Sequence, residues 1–105
     1  MSVFLVFTTV PNRTIAQKMV RQILAKHLAA CAHMTPPGES HYWWKGSLQK
    51  AREVAITFKT AKKALPSLLR TLKDIHPYET PEILAVRADY GNPAYLEWVK
   101  QETHP

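Results

Sequence analysis

Hydrophobic and polar positions alternate in two different rhythms along this chain. Val3-Phe4-Leu5-Val6-Phe7 is apolar on both alternations, the pattern of a central strand covered on both faces. Ile15, Met19 and Ile23 then recur at four-residue steps beside Ala16, Val20 and Leu24, while Arg13, Gln17, Lys18, Arg21, Gln22 and Lys26 take the other side. That spacing predicts a surface helix lying on a sheet, with Asn12 as its cap. His27 falls near the end of this helix, where a carbonyl terminus favours positive charge. Extended character follows from Ala29 and is bent or bulged by Pro36-Pro37-Gly38. It resumes at Ser40-His41-Tyr42-Trp43-Trp44, turns at Lys45-Gly46-Ser47 and returns as a strand over residues 52–60. In that return Val54, Ile56 and Phe58 share one face, and Glu53, Ala55, Thr57 and Lys59 the other.

A second helical stripe, Leu65, Leu68, Leu69, Leu72 and Ile75, admits Pro66 only in its first turn. It runs into His76-Pro77-Tyr78-Glu79-Thr80-Pro81-Glu82, which precedes a strand-length apolar run, Ile83-Leu84-Ala85-Val86. Each proline pushes its predecessor out of the helical region, so the helix should stop at Ile75 or His76. The short, stiff connection fixes one imidazole, one phenol and two carboxylates relative to one another. A turn needs only Gly, Asn or Asp, so these groups are candidates for an interface or a ligand. Asn92-Pro93 then opens a short terminal helix with Tyr95, Trp98 and Val99 on one face.

The order strand, helix, strand, strand, helix, strand, short helix predicts an α+β fold: a ferredoxin-like βαββαβ sandwich with both long helices on one side of an antiparallel sheet. The hairpin between the second and third strands, from about residue 29 to 60, is long for such a fold. It carries Tyr42, Trp43 and Trp44 near its tip, apolar surface that a second chain would cover.

Composition changes little in this picture. A chain of 105 residues is expected to form one domain over 1–105, and 46% hydrophobic with 21% charged residues suits a folded globular domain. The formal charge of +6 favours anionic partners at encounter, but the basic residues are spread over two helix faces that read as solvated. Cys31 is alone, which suits a reducing compartment and predicts a cytoplasmic protein with an inert core cysteine. The apolar stretch from Val3 to Val10 is too short to span a bilayer and reads poorly as a signal peptide, so no membrane partner is expected.

No nucleophile elbow, phosphate-binding loop or zinc-hydrolase motif is present, and no enzyme is expected. The aromatic signature of an RNA-binding sheet is missing from the central strands, and no nucleic-acid partner is expected. For metal chemistry His76 is the candidate imidazole, with Glu79 or Glu82 as oxygen donors, although packing or hydrogen bonding is the favoured reading of His76. A lone histidine needs further ligands from water or another subunit, so no cofactor is obligatory.

The chain resembles the CutA family of divalent-cation tolerance proteins. The resemblance is carried by Thr9-x-Pro11, Leu28-Ala29-Ala30-Cys31, Ser40-x-Tyr42-x-Trp44, Glu53-Val54 leading to Lys59-Thr60, the heptapeptide from His76 to Glu82, and Tyr95-Leu96-x-Trp98. It implies a tightly packed homotrimer in which long hairpins extend sheets across subunit boundaries, a link to copper and other divalent ions, and an architecture similar to the PII signalling proteins. The chain departs from the family habit at Lys45-Gly46-Ser47 and at Gln49, Lys50 and Ala51, which make the hairpin more basic. It also has Thr8 and Ile75 where some relatives carry cysteine and histidine. A PII-like sensor holding a small anionic metabolite in a cleft between subunits, near Lys59 and Tyr78, is the alternative.

Overall fold

The computed structural model describes residues 2–105. Five strands and three helices follow one another as β1 (Val3–Val10), α1 (Arg13–Ala25), β2 (Cys31–Met34), β3 (Gly38–Trp44), β4 (Ser47–Ala61), α2 (Leu65–Ile75), β5 (Leu84–Ala88) and α3 (Pro93–Glu102). A 3-10 turn over Lys62–Ala64 precedes α2. The sheet order is β2-β4-β1-β5, every pairing antiparallel, with β3 continuing along the same edge of β4 as β2.

The helix ends have the local causes that the sequence suggests. Asn12 Oδ1 accepts from the Ile15 N–H at 2.9 Å, satisfying one of the unpaired donors of the first turn. Asn92 does the same for Ala94 at 3.1 Å, ahead of Pro93. Pro66 sits in the first turn of α2, where its missing N–H breaks no helical bond, and α2 stops at Ile75 before Pro77. The bend between β2 and β3 falls at Thr35-Pro36-Pro37. Thr35 holds the bulge to β4 twice, its N–H donating to Ala55 O and its hydroxyl accepting from Ala55 N.

One face of the sheet is closed. Val6, Val10, Val54, Ile56 and Phe58 pack against Ala16, Met19 and Ile23 of α1 and Leu68 and Leu72 of α2, all 2% exposed or less. The other face is not. The double alternation of β1 suggests cover on both sides, but within the chain Leu5 and Phe7 remain half-buried beside Val86 and Leu84, which are 52% and 57% exposed. Of the helices, α3 alone reaches that side, burying Val99 and bringing the Tyr95 hydroxyl to 3.6 Å from Cys31 Sγ. Cys31 is therefore half-buried on an edge strand, not a core cysteine. The end of α3 is tied down by His27: its backbone carbonyl accepts from His104 N, its Nδ1–H donates to Glu102 O at 3.1 Å, and its ring stacks on His104 at 3.9 Å.

The long strand is β4, which begins at Ser47 where the sequence suggests a start near Arg52. Its pairing with β1 ends at Val10↔Val54, whereas its pairing with β3 runs from Gly38↔Glu53 to Trp44↔Ser47. Residues 47–53 thus stand beyond the body of the sheet with one edge paired, and the molecule is 44 Å long. The turn at the tip has positive φ at both Lys45 (50°) and Gly46 (82°), the two-residue geometry that matches strand twist. Trp43 and its cross-strand partner Leu48 are 73% and 62% exposed.

Phe58 is the largest fully buried side chain. Phe58→Ala should cost about 3–5 kcal/mol of stability, read as a lower urea midpoint. An unchanged midpoint would place the core elsewhere.

Candidate functional site

The heptapeptide after α2 folds back onto the end of β1 through His76. The backbone N–H of Tyr78 donates to His76 Nδ1 at 3.1 Å, so the ring proton belongs to Nε2. Nε2–H then donates to Thr9 O at 2.9 Å, with Thr8 Oγ1 at 3.0 Å. The ring is only 8% exposed. Burial holds its pKa below the usual imidazole value, against the opposing pull of the Thr9 carbonyl and the Glu53 charge.

Tyr78 lies 5.0 Å from the His76 ring, and its hydroxyl donates to Glu53 Oε2 at 2.6 Å. Desolvation, with the Glu53 contact adding to it, pushes the phenol well above its ordinary value. Glu53 comes from the first residue of β4 beyond the β1 pairing, so the end of the sheet, the base of the hairpin and the heptapeptide meet at one point. Around it opens a cleft of about 420 Å³ lined by Tyr42, Trp44, Glu53, Tyr78, Glu79 and Glu82, with Thr9, Pro77 and Thr80 completing the wall. Three carboxylates and no cationic side chain line it, which attracts positive charge and repels anions.

Of the candidates drawn from sequence, Glu79 and Glu82 share the cleft, but His76 is turned away from its lining into bonds with β1 and the Tyr78 backbone. Among the described residues no three His, Cys, Asp or Glu side chains are grouped to hold a metal ion. A metal at His76 would have to displace the Tyr78 N–H from the imidazole's one free lone pair. Tyr42 and Trp44 face the cleft, while Trp43 faces the opposite side of the hairpin. Lys59 and Tyr78 are not brought together within one chain. Lys59 pairs with Leu5 and Cys31, and Tyr78 bonds to Glu53, about 20 Å further along β4 at the usual rise per residue. The residue that sequence reasoning did not select is Glu53. Its parity on β4 was legible; its meeting with Tyr78 was not.

The buried imidazole makes a pH prediction. In the unfolded chain His76 titrates near 6.5; in the fold it titrates lower, so the native state binds fewer protons between the two values. Stability should be full above about 6.5 and decline as pH falls through that window. His76→Gln should be less stable at neutral pH and lose most of this dependence. Urea midpoints at stepped pH check it, and an identical slope in the variant would remove His76 as the cause.

The comparisons with known proteins agree with this architecture. The family described as CutA1 divalent ion tolerance protein matches residues 4–102. The chain is 39% identical over 102 residues to Protein CutA of Mus musculus, covering 97% of this chain and 58% of the mouse protein. It is 39% identical over 94 residues to the divalent-cation tolerance protein CutA of Escherichia coli, covering 90% of this chain and 84% of that one. The chain thus spans under three-fifths of the length of the mammalian relatives it matches. Among solved structures, CutA1 from Oryza sativa superposes with a TM-score of 0.94 at 36% identity, over 99% of this chain and 95% of that one. The divalent cation tolerance protein of Thermus thermophilus gives 0.93 at 33%, over 97% and 99%. With the mixed sheet-and-helix fold and nearly its whole length in common, the chain belongs to the CutA1 divalent ion tolerance family.

Proposed function

We propose that this chain works as a non-enzymatic, cytoplasmic divalent-cation tolerance protein whose ferredoxin-like subunits assemble as a homotrimer. The observation that carries the assembly is the half-paired β4. Residues 47–53 offer unpaired backbone donors and acceptors along one edge, and Tyr42, Trp43, Trp44 and Leu48 expose 42–73% of their surface on the same hairpin. The open sheet face, with Leu84 and Val86, continues this apolar area. Each large apolar side chain fully buried contributes roughly 1.5–3 kcal/mol, and a closed ring of three satisfies every hairpin with a neighbour.

The metal link is supported by the family and by the acidic cleft. Glu79 and Glu82 are the oxygen donors nearest to solvent, and a neighbouring copy or water would complete any coordination. His76 joins only if its bond from Tyr78 is given up. Copper or another divalent cation is thus a weakly held visitor. The alternative, an anionic metabolite between subunits, has less support, since the cleft is lined by carboxylates and Lys59 lies elsewhere.

Sedimentation equilibrium at micromolar concentration should give a species of about 36 kDa, three times the 12.0 kDa chain. Trp44→Glu should shift the distribution towards smaller species. A folded 12 kDa monomer for the unmodified chain would overturn the assembly. Calorimetric titration with copper(II) should show weak binding that Glu79→Gln with Glu82→Gln reduces. An unaltered isotherm would take the cleft out of the metal reading.

A further inference from the structure

The fold sorts the chain's charge in a way that the sequence order hides. The helices α1 and α2 lie side by side on the closed face of the sheet, and they run antiparallel because β1 and β4 do. Their solvent side, with the turn that opens α2, carries Arg13, Lys18, Arg21 and Lys26 from one strip and Lys62, Lys63, Arg70 and Lys73 from the other. All eight are exposed, and Asp74 is the only acid among residues 12–27 and 61–75. The helix layer therefore holds +7 of formal charge, while the remainder of the chain comes to −1, together the +6 of the whole. Every unit of the excess is carried by the helix layer and the turn that opens α2.

This layer is also free. The ion pairs among the described residues are Glu39–His41 and Arg87–Asp89, both elsewhere. The face is opposite the open sheet surface through which association is proposed, so it stays outward whether the chain is single or assembled. The large exposed apolar side chains are on β3, β4, β5, α3 and the loop before α3, and none is on α1 or α2. That composition discriminates between polyanions. A lipid-surface helix presents aliphatic or aromatic side chains to insert beside its cations, and single-strand binding uses rings on which bases stack. This face has no large exposed apolar side chain; its groove between the helices is lined by the partly or fully buried Ile15, Met19 and Ile75. It offers cations on both helices, with Asn12, Gln17 and Gln22 as neutral side chains on α1 and its cap, all exposed. Cations and amides are the groups that contact the phosphate backbone of a duplex.

We propose that the α1–α2 face binds double-stranded nucleic acid through its backbone, without sequence preference. The sheet is not involved, in keeping with its lack of stacking aromatics in the central strands. The interaction is electrostatic and weak at physiological salt, with strength gained from repetition if several copies of the face are joined.

The test uses the full chain and a fluorescently labelled random-sequence 20-base-pair DNA, followed by anisotropy from 50 to 200 mM KCl. Binding is expected in the micromolar range at the low end. With about four phosphates neutralised, log K should fall against log salt with a slope near −3.6. Lys18→Glu with Arg21→Glu, and separately Arg70→Glu with Lys73→Glu, should each weaken binding tenfold or more. Arg87→Glu with Lys100→Glu, which changes net charge equally but lies off the face, should alter it less than threefold. Sedimentation of each variant verifies that fold and assembly are kept, which separates this result from the fate of the trimer. Equal losses in all three variants would assign the effect to net charge and overturn the proposal. So would an absence of duplex binding at 50 mM KCl, or binding to phosphatidylserine-containing vesicles alone.

Discussion

The structure depends on one strand having more partners than a sheet position normally allows. β4 pairs with β1 along residues 54–61, with β2 along 56–59 and with β3 along 47–53. It supplies Val54, Ile56 and Phe58 to the core, Glu53 to the cleft and Leu48 to the exposed hairpin. A ladder that long keeps the hairpin in line with the body, because strand twist accumulates smoothly and no hinge interrupts it. The Thr35-Pro36-Pro37 break lies on the opposite strand, so the partner changes while β4 itself remains continuous. The position of the acidic cleft follows from this continuity: Glu53 is the first β4 residue past the end of β1, where a loop from α2 has room to settle.

That settling is made specific by polar bonds. His76 uses a ring nitrogen on each side, one joined to β1 and the other to its own loop. Tyr78 adds a short bond to Glu53. Buried polar groups held this fully fix a loop's geometry, because each bond lost inside the protein leaves a desolvated group without a partner. The segment is stiff from its prolines and anchored from its side chains, a combination that suits a surface on which something else is to be positioned.

Much of this was legible from local chemistry. Asn12 and Asn92 announced helix starts, Pro66 and Pro77 bounded α2, and the alternation Val54, Ile56, Phe58 named the buried face of β4. The misreadings share a cause, which is that the partner of a residue is not written beside it. Ser47, Gln49 and Lys50 are polar and follow a turn, yet β3 recruits the stretch as strand. Cys31 reads as a core residue in an alanine-rich stretch, but it lies on an edge where Tyr95 meets it. For His76 the favoured role of packing or hydrogen bonding holds, but its partner Thr9, far away in sequence, was not legible.

The pairing of β1 has a consequence for how the chain is made. Val3-Phe4-Leu5-Val6-Phe7 is an aggregation-prone run by composition, uncharged, apolar and free of proline. Its two hydrogen-bonded neighbours are β4 and β5, reached at residues 54–61 and 84–88. At synthesis rates of about 5–20 residues per second, this segment waits roughly 4–16 s for its second neighbour to emerge. Until β4 has been translated the stickiest part of the sequence has no place in a sheet, and one of its edges stays open until β5 follows. Before β4 emerges, helix α1, which forms locally and follows at once, is the core element that can lie against it. The vulnerable period of this protein is therefore its own translation, and conditions that slow elongation between residues 10 and 84 should lower its soluble yield more than they lower the stability of the finished molecule.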